Sequence, residues 1–595
     1  MNQSNTNIQY DSSMITRIFI QLMPAAILSM IIPSINSVID VFVASRYIGT
    51  DAVTSIGYYT PLTYVLAGIG ASIAGGAVIL MGKYLGNSLS KEVNELFTTD
   101  MIIIGIIMII ITAACELFSL PLSGILGACD DMIGNTGAYI RGVALSFPAT
   151  YWSLQLTSFL ELEQKHKRNI VGVVIMMLLN ISLDIIFVAY LNMGLFGLGL
   201  ATSIAAYGNF FIQIQYYFTA NAQLRFSFGL FNPGMILSMI RIGFPGAATQ
   251  GYLAIRGYMM NSMLHTYSGD VGIAALATQA TLGAFTYAAT YGISVATRTL
   301  FSIFVGTKDV HSIRTVMKTA LYKMLPCSLI FAVIMTSLSG VFTRIFYTDP
   351  ASEVYHLTFL LFLTNPFAMF LSGICQIFST YYQCHSWMKI TNIISLFDGI
   401  IGMAISMIIL APILGAFGIW LSYITNGIIV AIVILTYTII RIRKFPHSID
   451  DFLMLPDGFG IPDDCRMEFS VHTPDEVVKC SETIMDFCKS KNADERHCYY
   501  AGLAMEEMAA NIIEHGFKNG KHHTCTIEIA ATSEVLILKL IDDGSSFDPL
   551  KRLKLHNSDD PLKNIGLKLV RSISDDMTYS RVAGLNSLTL TLTKQ

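Results

Sequence analysis

Residues 170–202 read IVGVVIMMLLNISLDIIFVAYLNMGLFGLGLAT, and this stretch decides what kind of protein the chain is. It opens with an apolar run about as long as the ~20 residues that cross a bilayer as a helix. Asn180 and Asp184 stand inside that run. Four residues apart, they lie on one helix face one turn from each other, so they make a single polar spot. A carboxylate at membrane depth is costly, and it is tolerated where it meets a partner or a cavity, which marks an ion or substrate path.

Outward from this stretch the composition is that of a polytopic membrane protein: 595 residues, 53% hydrophobic and 13% charged, with mean hydropathy +0.57. The net charge of −4 hides a division. Charged residues are sparse up to about Arg443 and dense from Asp450 onward, so a membrane domain is joined to a soluble one. The segment before Met14 is mostly polar, with Asp11 its only charge and no basic n-region, so the first membrane helix is expected to act as its own insertion signal. Ten cysteines show neither metal-ligand spacing nor pairing and read as reduced fillers.

Apolar runs predict twelve spans, starting near residues 16, 52, 93, 135, 168, 194, 232, 272, 314, 352, 388 and 415. Pro24, Pro33 and Pro245 are expected to bend or tilt the longer ones. Even-numbered connections hold the cations: Lys83 and Lys91; Lys165, Lys167 and Arg168; Arg225; Lys308 and Arg314; Lys389; Arg441, Arg443 and Lys444. By the positive-inside rule both termini are then cytoplasmic and the chain is a multi-pass plasma-membrane protein. Residues 161–168 read as a solvated loop.

The membrane part repeats. PAAILSMIIPSINSVIDVF from Pro24 parallels PGAATQGYLAIRGYMMNSM from Pro245, and GLFGLGLATSI from Gly194 parallels GAFGIWLSYI from Gly415. Both pairs are displaced by 221 positions, from 24 to 245 and from 194 to 415. Two six-helix lobes of like orientation follow, about 14–222 and 232–444, with substrate bound between them. The shift sets Asp40 opposite Asn261, Asn180 opposite Ile401, Asp184 opposite Ile405 and Thr202 opposite Tyr423. At these positions the first lobe has carboxylates that the second lacks, and Asp40 with Asp184 is expected to carry the coupling ion. Like charges in a low-dielectric cavity suit a proton carrier, while carboxylate, amide and hydroxyl oxygens suit Na⁺ equally. A helix-end cap at Asp40 and a helix-to-helix clamp at Asn180 and Asp184 are the plainer readings. In the second lobe Arg256 and Arg298 lie within predicted helices as cavity candidates or counter-ions, and Asp398 reads as structural.

The run from Pro24 through IDVFVASRYIGTDAVTSIGYYTPL, with NISLDIIFVAYLNMGLFGLGLATSI, resembles the multidrug and toxic compound extrusion (MATE) transporters over roughly residues 14–445. The resemblance implies a V-shaped pair of six-helix lobes that exports organic cations or metabolites by antiport with H⁺ or Na⁺. Asp40, Asn180, Asp184 and Thr202 match the first-lobe site of one branch of that family. Acidic residues used by another branch in the second lobe have no match, and Arg256 stands in the seventh helix instead. If Arg256 and Arg298 face the cavity, they favour an anionic or zwitterionic substrate.

A connection rich in Pro, Gly and Asp, about 445–463, separates the membrane domain (1–444) from residues 464–595. The pattern there reads strand (467–471), helix (474–490), long helix (494–514), two strands (524–530 and 535–542), a polar loop, a helix from about 564 and two closing strands. This is an α/β sandwich with helices over a mostly antiparallel sheet. Glu507, Asn511 and His515 recur at i, i+4 and i+8 on one helix face, where a carboxylate can deprotonate a nucleophile and an amide oxygen can hold Mg²⁺. IDDGSSFDP supplies Asp542, Gly544, Phe547 and Asp548, and NIGLKLV offers backbone donors at a helix start. A solvated polar face and a simple turn are the ordinary readings of such pieces. Together they resemble the ATP-binding fold of histidine kinases, Hsp90 and type II topoisomerases, nearest to the anti-sigma-factor serine kinases. That resemblance implies Glu507 as general base, Asn511 as Mg²⁺ ligand, Asp542 as adenine reader, and Gly544 and Gly566 as pocket glycines, with Phe547 as an aromatic wall. Lys563 and Asn564 replace the usual paired glycines before Gly566, and Lys551, Arg552 and Lys554 make the lid more basic. No helical hairpin carries a phosphate-accepting histidine.

Three functions fit these features. One is an ion-coupled exporter of small organic compounds regulated by an ATP-binding domain, which the resemblance implies can also act as a serine kinase. Another is a membrane receptor whose soluble domain phosphorylates or sequesters a cytoplasmic protein, or pairs with its like. A third is a flippase for a lipid-linked or polymeric precursor. ATP as the direct power source is disfavoured because no G-x-x-x-x-G-K-[ST] pattern occurs. No nucleic-acid partner is expected.

Overall fold

The computed structural model describes residues 13–594 apart from 88, 127, 129, 164, 220–221, 348, 457–458, 518–522, 533, 546, 556–564 and 583. Ten helical segments among them are long and apolar enough to cross a membrane, from Ile15–Ile48 to Ala416–Ile442. The two other expected spans are helical but interrupted. The span expected near 135 is split into Asp130–Ala144 and Phe147–Leu162, with a proline in the first turn of the second piece. The span expected near 232 runs without a loop into the next one as Gly234–Gly306, turning at Gly269, whose φ of 58° and ψ of −149° only glycine adopts freely.

Helix α1 (Ser13–Val43) and helix α2 (Thr50–Gly86) carry the first lobe to the second, because both pack on the long helical run 234–306. The lobes meet main chain to main chain. A Cβ at Gly243 would collide with the Ser72 carbonyl oxygen, and one at Gly76 with that of Met239. Farther along α2, a Cβ at Gly86 would come 2.7 Å from the Ile303 carbonyl and one at Gly306 2.7 Å from that of Lys83. Glycine at these crossings lets helices approach closely where lipid gives no hydrophobic push.

Residues 161 and 163 depart from the solvated-loop expectation. Glu161 is buried in the last turn of its helix, and Glu163 accepts from the Tyr216 hydroxyl at 2.6 Å and from the amides of Gln223 and Leu224. These amides end a connection whose donors need partners, so the carboxylate is drawn inward. Lys165 and Arg168 instead lie over the Tyr216 ring.

The soluble domain is a five-stranded antiparallel sheet in the order β1-β2-β3-β5-β4, comprising β1 (Arg466–Val471), β2 (Cys525–Ala531), β3 (Val535–Asp542), β4 (Asp576–Val582) and β5 (Leu585–Thr593). Period-two alternation divides its residues. Phe469, Ile527, Leu538, Leu540 and Leu590 face a core with helices Pro474–Ser490, Glu495–Asn511 and Ile565–Ile573. Thr473 and Glu476 form a capping box and Pro474 sits in the first turn, which fixes where the first of these helices starts. A short helix, Pro549–Leu555, occupies part of the stretch expected as a polar loop.

The other sheet face lies against the membrane domain. Asp309, which caps helix Val310–Thr319 by accepting from the Ser312 amide at 3.0 Å, also meets Lys539 at 3.7 Å and Arg466 at 4.0 Å. Burial alone would push the Asp309 carboxyl up, but Lys539, the Ser312 hydrogen bonds and Arg466 together hold it below its ordinary value. Residues between the two domains are packed as well. Helix Ile449–Leu453 is anchored by the Tyr381 hydroxyl donating to the Leu453 carbonyl at 2.7 Å, by that of Tyr382 donating to Phe452, and by Arg314 on Asp450 at 2.7 Å.

Candidate functional site

In the first lobe, α1 supplies Asn36 and Asp40, helix His166–Asp184 supplies Asn180 and Asp184, and helix Gly194–Ile214 supplies Thr202. Asn180 is the hub. Its amide nitrogen lies 3.4 Å from Asp184 Oδ1 and 3.4 Å from Thr202 Oγ1, while its oxygen accepts from the Asn36 amide. The Asp40 and Asp184 carboxyls lie close enough to act on each other electrostatically. Asn180 and Asp184 are fully buried, and Asp40 Oδ1 and Asp184 Oδ2 have no partner in the structure. Two carboxyl groups this close and this dry hold together when a proton or a cation lies between them. A π-helical turn follows each acid, Ala44–Ile48 after Asp40 and Ile185–Tyr190 after Asp184, and such turns recur at functional positions. Asn36 was missed by sequence reading, although its place four residues before Asp40 is the same signal that singled out Asn180 and Asp184. Tyr139, whose ring lies within electrostatic range of both acids, had no sequence signal because it comes from a different helix.

The second lobe is not a copy. Asp398 accepts from the Asn426 amide at 3.0 Å and lies within electrostatic range of Arg256, whose guanidinium sits 5.8 Å from the Tyr423 ring centre. Tyr423, the counterpart of Thr202, thus serves the arginine rather than an acid. Arg298 lies apart from that group, within range of Glu161 of the first lobe, and Tyr287 senses both arginines. Asn261, the counterpart of Asp40, is exposed and five positions from Arg256, hence on another helix face.

In the soluble domain Asp542 ends β3 and is 3% exposed. Its Oδ1 accepts from the Gly544 amide and from Asn586 Nδ2, each at 2.8 Å. Asn586 stands directly opposite on β5, and its own oxygen accepts from Arg581 at 2.7 Å. Burial pushes the Asp542 carboxyl up to about 6, with Asn586, Gly544 and Arg581 pulling the other way. Both of these Oδ1 contacts are made within the protein. Asn586 went unread in the sequence because only strand register brings it to Asp542.

Glu507 and Asn511 share a helix face, and a Cβ at Gly566 would strike the Glu507 carboxylate, so glycine keeps that wall open. Asn511 Nδ2 donates to the Glu507 carbonyl at 2.6 Å, which leaves its oxygen outward. His515 does not complete the stripe. The helix widens into a π turn at Ile512–Gly516, which carries His515 off the i+8 line to an exposed position. Phe547 lies under the Arg552 guanidinium at 5.5 Å, and a Cβ at Gly544 would come 2.9 Å from the Gly516 carbonyl. Lys563 and Asn564 lie outside the described residues.

Comparison with known proteins bears on both halves. The MatE family matches residues 25–186 and 245–413, more than half of the chain, and the histidine kinase-like ATPase domain family matches residues 471–592. The chain is 17% identical over 380 residues to the probable multidrug resistance protein YoeA of Bacillus subtilis, covering 62% of this chain and 81% of that one. It is 23% identical over 382 residues to the multidrug export protein MepA of Staphylococcus saprophyticus, covering 62% and 83%. A crystal structure of MATE in complex with MaL6 superposes with a TM-score of 0.67 at 17% identity, over 74% of this chain and 99% of that one. Two helical lobes joined to an antiparallel sheet domain, each half matched by its own family, make this chain a member of the MatE family, a multi-pass membrane transporter that carries a C-terminal histidine kinase-like ATPase domain.

Proposed function

We propose that the chain exports small organic compounds across the plasma membrane in exchange for H⁺ or Na⁺, with both termini cytoplasmic. The buried Asp40–Asp184 pair, organised by Asn180, Thr202 and Asn36, is the observation that carries this reading. Loading one proton or one Na⁺ removes the repulsion between the acids, and unloading restores it, so the local packing of α1 depends on the gradient. Both named relatives being multidrug proteins supports export of organic compounds. Arg256 and Arg298 act as counter-ions to Asp398 and Glu161 at the cavity wall. Asp40→Asn and Asp184→Asn in everted vesicles with an imposed gradient test the site. Export of ethidium as probe should lose its dependence on the gradient, and coupled export by either variant refutes the assignment.

The soluble domain, about 464–595 beyond a connection at 445–463 and a membrane domain of 1–444, is proposed to bind Mg-ATP and regulate transport. The adenine amine would donate to Asp542 Oδ2, with Gly544 admitting the purine beside Phe547. Asn511 oxygen would hold Mg²⁺, which supplies charge neutralisation at the phosphates. Among the described residues no group of three His, Cys, Asp or Glu could hold a metal, so phosphate oxygens and water would supply the other Mg²⁺ ligands. Glu507, beside Gly566, would take a proton from a serine hydroxyl of a protein partner. Calorimetric titration of the purified full chain with Mg-ATP, with Asn511→Ala beside it, tests the assignment: binding lost in the variant supports it, and no binding by the natural chain refutes it.

A further inference from the structure

The adenine-reading edge of the soluble domain is bound to the first membrane helix. Arg17, in the second turn of α1, pairs through Nη1 with Asp543 Oδ2 at 3.0 Å and donates through Nη2 to Thr524 Oγ1 at 3.0 Å. Asp543 is itself fixed, accepting from the Thr524 amide at 3.0 Å with His523 Nδ1 at 3.3 Å. It directly follows Asp542. The sheet makes a second connection at the same place. Even-numbered residues of β3 and β5 face the helices, which puts Asp542 and Asn586 on that side, and odd-numbered residues face the membrane domain. Ile541 and Leu585, the immediate neighbours of Asp542 and Asn586, are accordingly buried in one apolar cluster with Ile15, Ile18 and Leu22 of α1. The hydrogen-bonded pair that would grip a purine thus borders, one residue away on each strand, the apolar core of the membrane domain.

We propose that nucleotide occupancy of the soluble domain is transmitted to the coupling-ion site through α1, by way of the Arg17–Asp543 pair. This rests on the reading of the domain as a nucleotide site. Asp40 is 23 positions along from Arg17, roughly 35 Å at 1.5 Å per residue, on one continuous helix that contains Pro24 and Pro33. Pro24 and Pro33 each lack an amide donor, so a helix held at one end by an ion pair bends most easily at those positions. A purine drawing on Asp542 moves the β3 end, and the Asp543 carboxylate and Ile541 move with it because they share its backbone. By reciprocity, loading of the Asp40–Asp184 pair must alter nucleotide affinity by the same factor.

The test uses the full chain in lipid nanodiscs and Mg-ATP as probe. Amide exchange across residues 13–24 is followed by mass spectrometry with and without saturating Mg-ATP, and Mg-ATP affinity is measured on the same samples. The expected result is an at least threefold change in exchange on binding in the natural chain, abolished in Arg17→Ala although that variant still binds Mg-ATP. Exchange in α1 that ignores bound Mg-ATP overturns the coupling while leaving the nucleotide site standing, and an unchanged response in Arg17→Ala overturns the route. No binding by the natural chain overturns both readings together. Should Arg17→Ala misfold, the double exchange Arg17→Asp with Asp543→Arg replaces it: restoration of the response supports the pair, and its loss in a folded protein refutes it.

Discussion

Asp542→Asn should invert the purine preference of the soluble domain. In the structure Oδ1 of Asp542 already accepts from Gly544 and from Asn586, so an asparagine of the same shape keeps its oxygen there and turns its amide nitrogen toward the ligand. A donor then opposes the adenine amine. Losing a hydrogen bond to a charged group costs about 1.5–3 kcal/mol, which corresponds to a roughly 10- to 150-fold weaker Kd for ATP. Inosine triphosphate, which presents an oxygen at the same ring position, should bind the variant better than it binds the natural chain. Calorimetric titration of both nucleotides into both proteins gives the four affinities, and thermal melting checks that folding is retained, as the preserved Oδ1 contacts require. The pH dependence adds an independent arm. Only the ionised carboxyl accepts from adenine, and burial places this group at about 6, so ATP affinity should be flat above pH 7 and fall about tenfold per unit below 6 in the natural chain alone. ATP affinity within threefold of the natural value in Asp542→Asn, with no exchange of purine preference, would sink the argument.

Other substitutions probe other links. Asn36→Ala removes the donor that orients the Asn180 amide and should weaken gradient-driven efflux of ethidium about tenfold without preventing insertion, whereas unaltered efflux would show that Asn36 only packs. Gly243→Val drives a side chain into the Ser72 backbone, and overpacking of about 1–3 kcal/mol should hold the lobes apart; faster cysteine labelling of Ser302→Cys, buried beside Gly82, reports it. Asp309→Ala removes a helix cap worth about 1 kcal/mol and the shared partner of Lys539 and Arg466, so trypsin should release the soluble domain several-fold faster, an effect absent if the sheet is held by apolar contacts alone.

Some of this was legible from local rules. The double displacement by 221 positions pointed to two lobes because each repeat must bury similar helix faces, and the i, i+4 spacing of Asn180 and Asp184 made one polar spot because a helix fixes which side chains are neighbours. The alternation in VLILKLID set β3 and the face of Asp542 for the same reason. Rules of this kind fail where the backbone leaves the ideal period. Residue 515 was expected on the Glu507 face and is carried off it by a π turn, and the seventh and eighth spans run on through Gly269 with no loop between them.

The sequence by itself therefore determined the membrane domain, its repeat, the acidic spot in the first lobe and the kind of domain that follows, since all of these rest on spacing within one segment. Tertiary structure alone decided which segments share a site. Tyr139 joins the acids from a helix of its own, the Asn36 amide crosses from α1 to Asn180, Asn586 reaches Asp542 through strand register, and Arg17 finds Asp543 across more than five hundred residues. Contacts between distant segments depend on how buried faces pack in three dimensions, and no one-dimensional period encodes them.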